Sequence, residues 1–198
     1  MNKKIRIKYV VEVGIFAALS VVLYFLRFPL PIFPSFLEIQ FSALPIVIIG
    51  FSLGPVAGAI TLLIKSLICL PFTTTMGVGD LADLLIGLSF ILTTSLIYKK
   101  NKTKKGAIIA LCFGSLAWII SAVVMNYFVL VPFFIEMMFK GNVEGFVSIC
   151  QVIPNITISN YKIYYVLFAT IPFNLIISTV VSLVTFFVYK KISGYLKS

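Results

Sequence analysis

Histidine is absent from the 198-residue chain, and its three cysteines lie far apart, with no Cys-x-x-Cys pair. Neither a zinc site nor a disulfide framework is therefore expected, and the cysteines are interpreted as small apolar residues. The chain also lacks the Walker A and His-Glu-x-x-His patterns, so it has no phosphate-binding loop for ATP and no zinc-protease centre. We expect no metal and no cofactor.

Charged residues are also scarce. They make up 11% of the chain, against 61% hydrophobic residues, and the mean hydropathy is +1.13. A soluble domain of this size could not bury so much apolar surface. The sequence therefore predicts an all-α membrane protein that forms a single integral-membrane domain over residues 1–198.

The net charge of +10 comes from basic residues in three clusters: four precede Tyr9, five lie within 99–105 and three follow Tyr189. These clusters flank apolar segments, which is the pattern of cytoplasmic loops. They are short and lack interleaved aromatic residues, so nucleic acid is not an expected partner.

Six apolar segments are predicted to be transmembrane helices: about 9–26, 37–53, 56–70, 81–98, 106–131 and 164–189. The first has no small-residue cleavage site after it and is interpreted as an uncleaved span. The second and third are short and joined by Gly54-Pro55, which predicts two helices meeting at a tight turn. Six spans place all three basic clusters on one side, so both termini are predicted to be cytoplasmic.

Three loops then lie outside: 28–36, which contains three prolines, 71–79, and the long 132–163 connection. The last is rich in aromatic and aliphatic residues, which disfavours disorder. We expect it to fold over the mouth of the bundle.

Lys65 lies ten residues past Pro55, about 15 Å along a helix and so near the middle of a membrane about 30 Å thick. Such a charge is costly, and we expect it to face a cavity or to pair with an acid; snorkelling to the interface is the alternative. Asp80 and Asp83, three residues apart on one helix face, open the next span. Asp80 has a simple alternative role as a helix cap, whereas Asp83 is the best candidate partner for Lys65 or for a ligand.

Three further polar residues fall inside predicted spans: Asn126 near the outer end of the fifth, and Asn174 and Ser178 one turn apart on the sixth. Buried asparagines in a membrane need hydrogen bonds. These residues are therefore expected either to join two helices or to form the polar lining of a cavity.

Taken in order, a set of motifs resembles the substrate-binding S component of energy-coupling factor (ECF) vitamin transporters, and most of all the riboflavin-specific branch. The motifs are PLP (29–31), FSALP (41–45), GPVAG (54–58) with Lys65, GVGDLAD (77–83), KTKKGA (102–107), NYFVLVP (126–132) and IPFN (171–174).

The resemblance implies a six-helix bundle in the bacterial plasma membrane that binds its vitamin with high affinity in an outward-facing pocket under a Pro-rich lid. The expected partners are a transmembrane T subunit and two ATPases. Gly14 and Ala18, with small-xxx-small spacing, are candidate T-subunit contacts, and ordinary packing within the bundle accounts for them equally well. The expected substrate-binding residues are Phe36, Leu37, Gln40, Asp80, Asp83, Asn126, Asn174 and Ser178, with Lys65 and Asp83 as a structural ion pair.

The chain departs from the riboflavin-branch pattern at four positions. Gln40 and Ala43 stand where that branch has Asp, Asp83 where it often has Asn, and Ile177 where it has Lys. A related vitamin or another small heterocycle therefore stays open as the substrate. Two other classes are a small intramembrane enzyme using Asp80 and Asp83, and a non-transporting scaffold.

Overall fold

The computed structural model describes the backbone of residues 3–196 and the side chains of residues 7–189; the outermost basic residues of the sequence lie outside this range. The six principal helices are α1 (Lys3–Phe25), α2 (Ala43–Leu53), α3 (Pro55–Cys69), α4 (Val78–Lys100), α5 (Lys104–Met125) and, after three short ones, α9 (Ile171–Leu196). The short helices are α6 (Val131–Phe139), α7 (Val143–Ile149) and α8 (Tyr161–Tyr165).

The principal helices run alternately between two ends of one bundle. At the loop end, Tyr24 near the end of α1 contacts Asp80 at the start of α4. At the opposite end, which we call the basic end, Tyr98 of α4 contacts Tyr189 of α9, and Lys99–Lys105 connect α4 to α5. The predicted single all-α bundle is therefore seen, apart from one pair of two-residue strands at the loop end.

Five of the helical stretches within the described residues are long and apolar enough to cross a membrane. The remaining predicted span, the second (37–53), corresponds to α2, which has only 11 residues and is about 16 Å long. Seven of its residues are buried in the bundle. Because the other helices enclose α2, its ends need not reach the bilayer surfaces and little of its backbone would face lipid.

The turn between α2 and α3 is confirmed at the predicted position. Gly54 has φ 97°, a conformation that favours glycine, and Pro55 is the first residue of α3. Proline lacks the N–H that would be unpaired at this position, so α3 begins at once. Gly54 is therefore the single residue that reverses the chain between the two helices.

The fifth span is longer than predicted. α5 continues without interruption through a π-helical segment, Asn126–Leu130, into α6, giving one helical stretch of 36 residues that ends at Phe139. The prediction of a loop from Pro132 is therefore wrong for its first eight residues. A second π-helical segment, Val166–Thr170, joins α8 to α9 just before Pro172. A π turn adds a residue and accommodates proline without ending the helix.

The remainder of the 132–163 connection packs against the first loop. Phe146 of α7 is fully buried, and its ring lies 6.3 Å from that of Phe36 and 5.5 Å from that of Tyr165. Phe134 of α6 contacts Phe36 edge to face. Phe36 thus anchors the first loop beneath the long connection.

The first loop is itself ordered by a short antiparallel pair, β1 (Phe28–Pro29) and β2 (Glu38–Ile39). Arg27, just before β1, and Glu38, the first residue of β2, form a salt bridge of 3.3 Å. The loop therefore leaves the end of α1 and returns beside its own starting point before entering α2.

Candidate functional site

Two adjoining cavities open at the loop end and share three residues, Glu38, Gln40 and Asp83. The first, which we call the acidic cavity, has a volume of about 120 Å³. It is lined by Tyr24, Arg27, Phe36, Glu38, Gln40, Thr74, Thr75, Gly79, Asp80 and Asp83. Three carboxylates and one guanidinium thus face a small space between the first loop and the start of α4.

The second cavity, which we call the tryptophan cavity, lies deeper and has a volume of about 80 Å³. Its lining is mixed, with amide, hydroxyl, aromatic and aliphatic groups: Glu38, Gln40, Ser42, Ala43, Asp83, Ile86, Trp118, Phe173, Asn174 and Ile177. Five of these ten residues are polar or charged and five are aromatic or aliphatic, so the cavity combines hydrogen-bonding groups, two carboxylates included, with apolar surface.

Lys65 is the most deeply buried charge near these cavities, with 1% of its surface exposed. Its Nζ lies 2.5 Å from Asp83 Oδ2 and 4.7 Å from the centre of the Tyr24 ring. The other carboxylate oxygen of Asp83 accepts a 3.2 Å hydrogen bond from Gln40 Nε2. Asp83 therefore links Lys65 of α3 to Gln40, which lies between the first loop and α2.

Asp80 is not the cap of α4. The helix begins after Gly77, and the hydroxyls of Thr73 and Thr75 accept hydrogen bonds from the N–H groups of Gly77 and Gly79. Asp80 Oδ1 instead accepts a 3.0 Å hydrogen bond from the Tyr24 hydroxyl. Its carboxylate is thus held at the wall of the acidic cavity, where the N-terminus of α4 favours a negative charge.

Asn174 is held in place by two hydrogen bonds of 2.8 Å each. Its Oδ1 accepts from Trp118 Nε1, and its Nδ2 donates to the carbonyl of Thr170 in the second π-helical segment. The chain's single tryptophan and a buried amide therefore form one rigid wall of the tryptophan cavity.

Asn126 lies outside both cavities. Its Oδ1 accepts a 3.1 Å hydrogen bond from the buried Tyr165 hydroxyl, and its Nδ2 donates to the carbonyl of Ala122. Leu37 and Ser178 also lie outside both linings; Ser178 is fully buried and donates to the Leu175 carbonyl. Of the eight predicted substrate-binding residues, Phe36, Gln40, Asp80, Asp83 and Asn174 line the cavities.

Sequence reasoning missed several lining residues: Tyr24, Arg27, Glu38, Trp118 and Phe173. Two signals were available. Arg27 and Glu38 are opposite charges at the two sides of a Pro-rich segment, and Trp118 is a singular residue inside an apolar span. Their convergence depends on the packing of α1, α5 and α9, which no local pattern gives.

The positions at which the chain departs from the riboflavin-branch pattern converge in space. Gln40, Ala43, Asp83 and Ile177 come from three separate helices or their flanks, and all four line the tryptophan cavity. The differences are therefore concentrated where a ligand would be selected.

Gly14 and Ala18, the predicted subunit contacts, lie exposed on one face of α1. A Cβ placed on Gly14 would meet no atom within 4 Å. Packing within this chain therefore does not account for these small residues.

The residues that meet at the loop end suit non-covalent binding. Carboxylates and amides accept and donate hydrogen bonds, and the aromatic wall accommodates a planar ring. Among the described residues, no group of three or more acidic or Cys side chains could hold a metal ion.

The family model for the substrate-specific component of ECF transporters matches residues 8–189. The riboflavin transporter RibU of Staphylococcus aureus is 32% identical over 190 residues, covering 96% of this chain and 93% of its own. The riboflavin transporter FmnP of Bacillus subtilis is 32% identical over 130 residues, covering 64% of this chain and 68% of its own.

A solved structure of the S component of a bacterial ECF transporter superposes on the chain with a TM-score of 0.73 and 31% identity. It covers 98% of this chain and 99% of its own. The similarity in sequence and in fold therefore extends over essentially the same residues.

Proposed function

The chain belongs to the family of ECF transporter substrate-specific components, and on that premise we propose that it binds riboflavin with high affinity for import into the cell. The family consists of transport components, so an enzyme built on Asp80 and Asp83 has no support. The observation that carries the choice of riboflavin is the 32% identity to a riboflavin transporter over 96% of the chain.

The site chemistry supports a flavin. The tricyclic ring is planar and apolar, and its pyrimidine edge presents one N–H donor and two carbonyl acceptors. Phe36, Trp118 and Phe173 offer aromatic surface, and the amides of Gln40 and Asn174 offer partners for that edge. The carboxylates of Glu38 and Asp80 can accept hydrogen bonds from the hydroxyls of the ribityl chain.

A flavin needs more room than either cavity offers, since sites for ligands of this size usually measure 300–1,000 Å³. We propose that the first loop moves to join the two cavities. The hydrogen bond between Gln40 and Asp83 lies between them, so it is the contact that opens first. Residues 28–36 would then act as a lid, and the aromatic contacts of Phe36 would hold one end of this lid in place.

In the membrane, we propose that the chain passes from one side to the other six times, with the short α2 doing so inside the bundle, both termini in the cytoplasm and the loop end outside. The distribution of charge supports this, because the basic end carries Lys99–Lys105 and the helix ends that bear the other basic clusters. The cavities then open toward the external vitamin.

Transport requires energy that this chain lacks, and we propose that a T subunit and two ATPases supply it. The exposed Gly14 and Ala18 of α1 would contact the T subunit, because small residues let two membrane helices approach closely. The bacterial plasma membrane is the expected location.

The decisive experiment identifies the small molecule that co-purifies with the protein, by mass spectrometry, and then titrates riboflavin while following the fluorescence of Trp118. Riboflavin in the purified protein and saturable quenching support the proposal. A colourless protein preparation that neither binds riboflavin nor is stabilised by it would contradict riboflavin as the substrate.

The four departures in the tryptophan cavity favour one alternative, a related vitamin or another small heterocycle. A different co-purified heterocycle, with saturable quenching by that compound, identifies it. A protein that binds no small molecule and tolerates Asn126→Ala would instead fit a scaffold.

A further inference from the structure

A cavity of about 180 Å³ lies at the basic end, far from the two described above. It is bounded by the α2–α3 turn on one side and by the end of α4 on the other. Gly54, Pro55, Val56, Ser95, Lys99 and Lys102 contribute to its lining. Because the apolar stretches of α3 and α4 both end here, the cavity lies at the boundary between the hydrocarbon and the headgroups.

The start of α3 gives this cavity a positive partial charge. Pro55 has no N–H, and the N–H of Gly58 is the first in α3 to bond backward, to the carbonyl of Gly54. The amides of Val56 and Ala57 therefore have no partner within the helix. A 15-residue helix with free N–H groups at its start favours an anion there.

Ser95 gives a second, independent indication. It is 1% exposed and lines the cavity, and its hydroxyl has no hydrogen-bond partner among the residues that the structure describes. Gly50 faces it so closely that any Cβ at position 50 would collide with the Ser95 Oγ. A buried hydroxyl without a partner is costly, and an acceptor in the cavity would satisfy it.

Two lysines complete the site. Lys99 and Lys102 line the cavity, and neither has an acidic partner among the side chains of residues 7–189. Of the six acidic residues in the sequence, five lie on the loop-end side; Glu12 of α1 is the exception. No salt bridge within residues 7–189 therefore offsets the positive charge of these two lysines.

From these observations we propose that the cavity binds the phosphate group of an anionic membrane lipid. The free amides at the start of α3, the Ser95 hydroxyl and the two ammonium groups are all donors to phosphate oxygens. A basic pocket between transmembrane helices at the headgroup level is the setting in which such lipids bind. The inference does not depend on which vitamin the loop end binds.

The test compares two pairs of substitutions that remove the same charge. Lys99→Gln with Lys102→Gln removes the cavity lysines, whereas Lys104→Gln with Lys105→Gln removes two lysines of the same connection outside it. Purified protein is titrated with short-chain phosphatidylglycerol, short-chain phosphatidylcholine or inorganic phosphate, and thermal stability is followed. We expect selective stabilisation by phosphatidylglycerol, weakened about tenfold or more in the first pair and less than about twofold in the second.

Ser95→Ala provides a second measurement, since it removes only the hydroxyl and leaves the Cβ of residue 95 in place beside Gly50. We expect about fivefold weaker binding of phosphatidylglycerol, with riboflavin binding unchanged. Equal losses in both lysine pairs would show general surface attraction and overturn the site. Equal stabilisation by both lipids would also overturn it. Saturation by inorganic phosphate alone at the same concentration would overturn the lipid as occupant and assign the site to soluble phosphate compounds.

Discussion

Lys65 and Asp83 form an ion pair whose two members are unequally buried: the lysine side chain is 2% exposed and the aspartate side chain 30% exposed. The cation depends on its partner more than the anion does, because water can still reach the carboxylate. This asymmetry gives the pair a testable order of effects.

Asp83→Asn should destabilise the protein more than Lys65→Met, and the double substitution should be less harmful than Asp83→Asn alone. Removing the acid leaves a buried ammonium beside the Tyr24 ring with no salt-bridge partner among the described residues, at a cost of about 3–5 kcal/mol. Unfolding of the four proteins in mixed micelles measures the coupling.

Asp80→Asn is the matched control, because it makes the same change three residues earlier on α4 at a carboxylate without a salt bridge among the described residues. We expect no coupling between Asp80→Asn and Lys65→Met. Additive effects of Lys65→Met and Asp83→Asn would contradict the pairing.

Trp118→Phe should weaken riboflavin binding about fivefold to tenfold, because it removes the donor that holds the Asn174 amide in position. Quenching of flavin fluorescence measures the affinity, since the variant has no tryptophan. Tyr98→Phe at the basic end also removes a buried aromatic donor, and it should leave the affinity unchanged. Equal affinity in the Trp118 variant and the native protein would argue against a positioning role.

Asn126→Ala should lower the free energy of unfolding by about 1–2 kcal/mol, since it leaves the buried Tyr165 hydroxyl without an acceptor. Tyr165→Phe should cost less, and adding it to Asn126→Ala should cost nothing further. Chemical denaturation in detergent provides the values. If Asn126 contacts the flavin directly, as the family resemblance implies, riboflavin affinity will fall in Asn126→Ala while stability stays the same.

Labelling of Cys150 should rise steeply with pH, because burial raises the pKa of this thiol to about 12. The rate should increase about tenfold per pH unit through the alkaline range, since only the thiolate reacts. A variant with Cys69 and Cys112 replaced by Ala isolates the signal. Ser148→Cys in a Cys-free background places a thiol on the exposed surface of the same turn and should react fully near pH 9.

The same group links stability to alkaline pH. The folded protein keeps the Cys150 proton, whereas the unfolded chain loses it above its ordinary pKa of 9. Stability should therefore fall as pH rises from about 9 to 12, and Cys150→Ala should fall less over that range. An identical pH profile in both proteins would contradict the burial of the thiol.

Gly14→Leu should abolish co-purification with the T subunit and ATPases while riboflavin still binds. The leucine enters open space on α1, so the chain itself has no reason to misfold, but a close helix contact is blocked. Cys112→Leu adds similar bulk to an exposed position on α5 and should leave assembly intact. Normal assembly of the Gly14 variant would place the T-subunit contact elsewhere.

The parts of the fold that sequence predicted depend on local chemistry. Gly54-Pro55 specifies its turn through one positive φ and one missing N–H, and the apolar lengths specify the helices. Lys65 and Asp83 were candidates for each other because each is anomalous in an apolar span.

The remaining parts depend on contacts between distant segments. Trp118 and Asn174 are 56 residues apart in the sequence and form a hydrogen bond, and no local pattern around either residue predicts this contact. The predicted fifth span ends at 131, just before Pro132, whereas in the structure a π-helical segment precedes this proline and the helix continues to Phe139. Asn126 is expected in the lining from its depth and from the family resemblance, and neither gives the direction in which the side chain points in this chain.

The two π-helical segments have a consequence for how this chain is aligned with its relatives. Each inserts an additional residue into a turn, so the residues after it are rotated about the helix axis relative to those before it. A one-residue gap at 126–130 or 166–170 in an alignment therefore marks a relative whose helix is regular at that point. An alignment gap is ordinarily interpreted as a loop of different length. A gap at these positions instead indicates that the helix after it is rotated, so that a different set of side chains faces the mouth of the bundle.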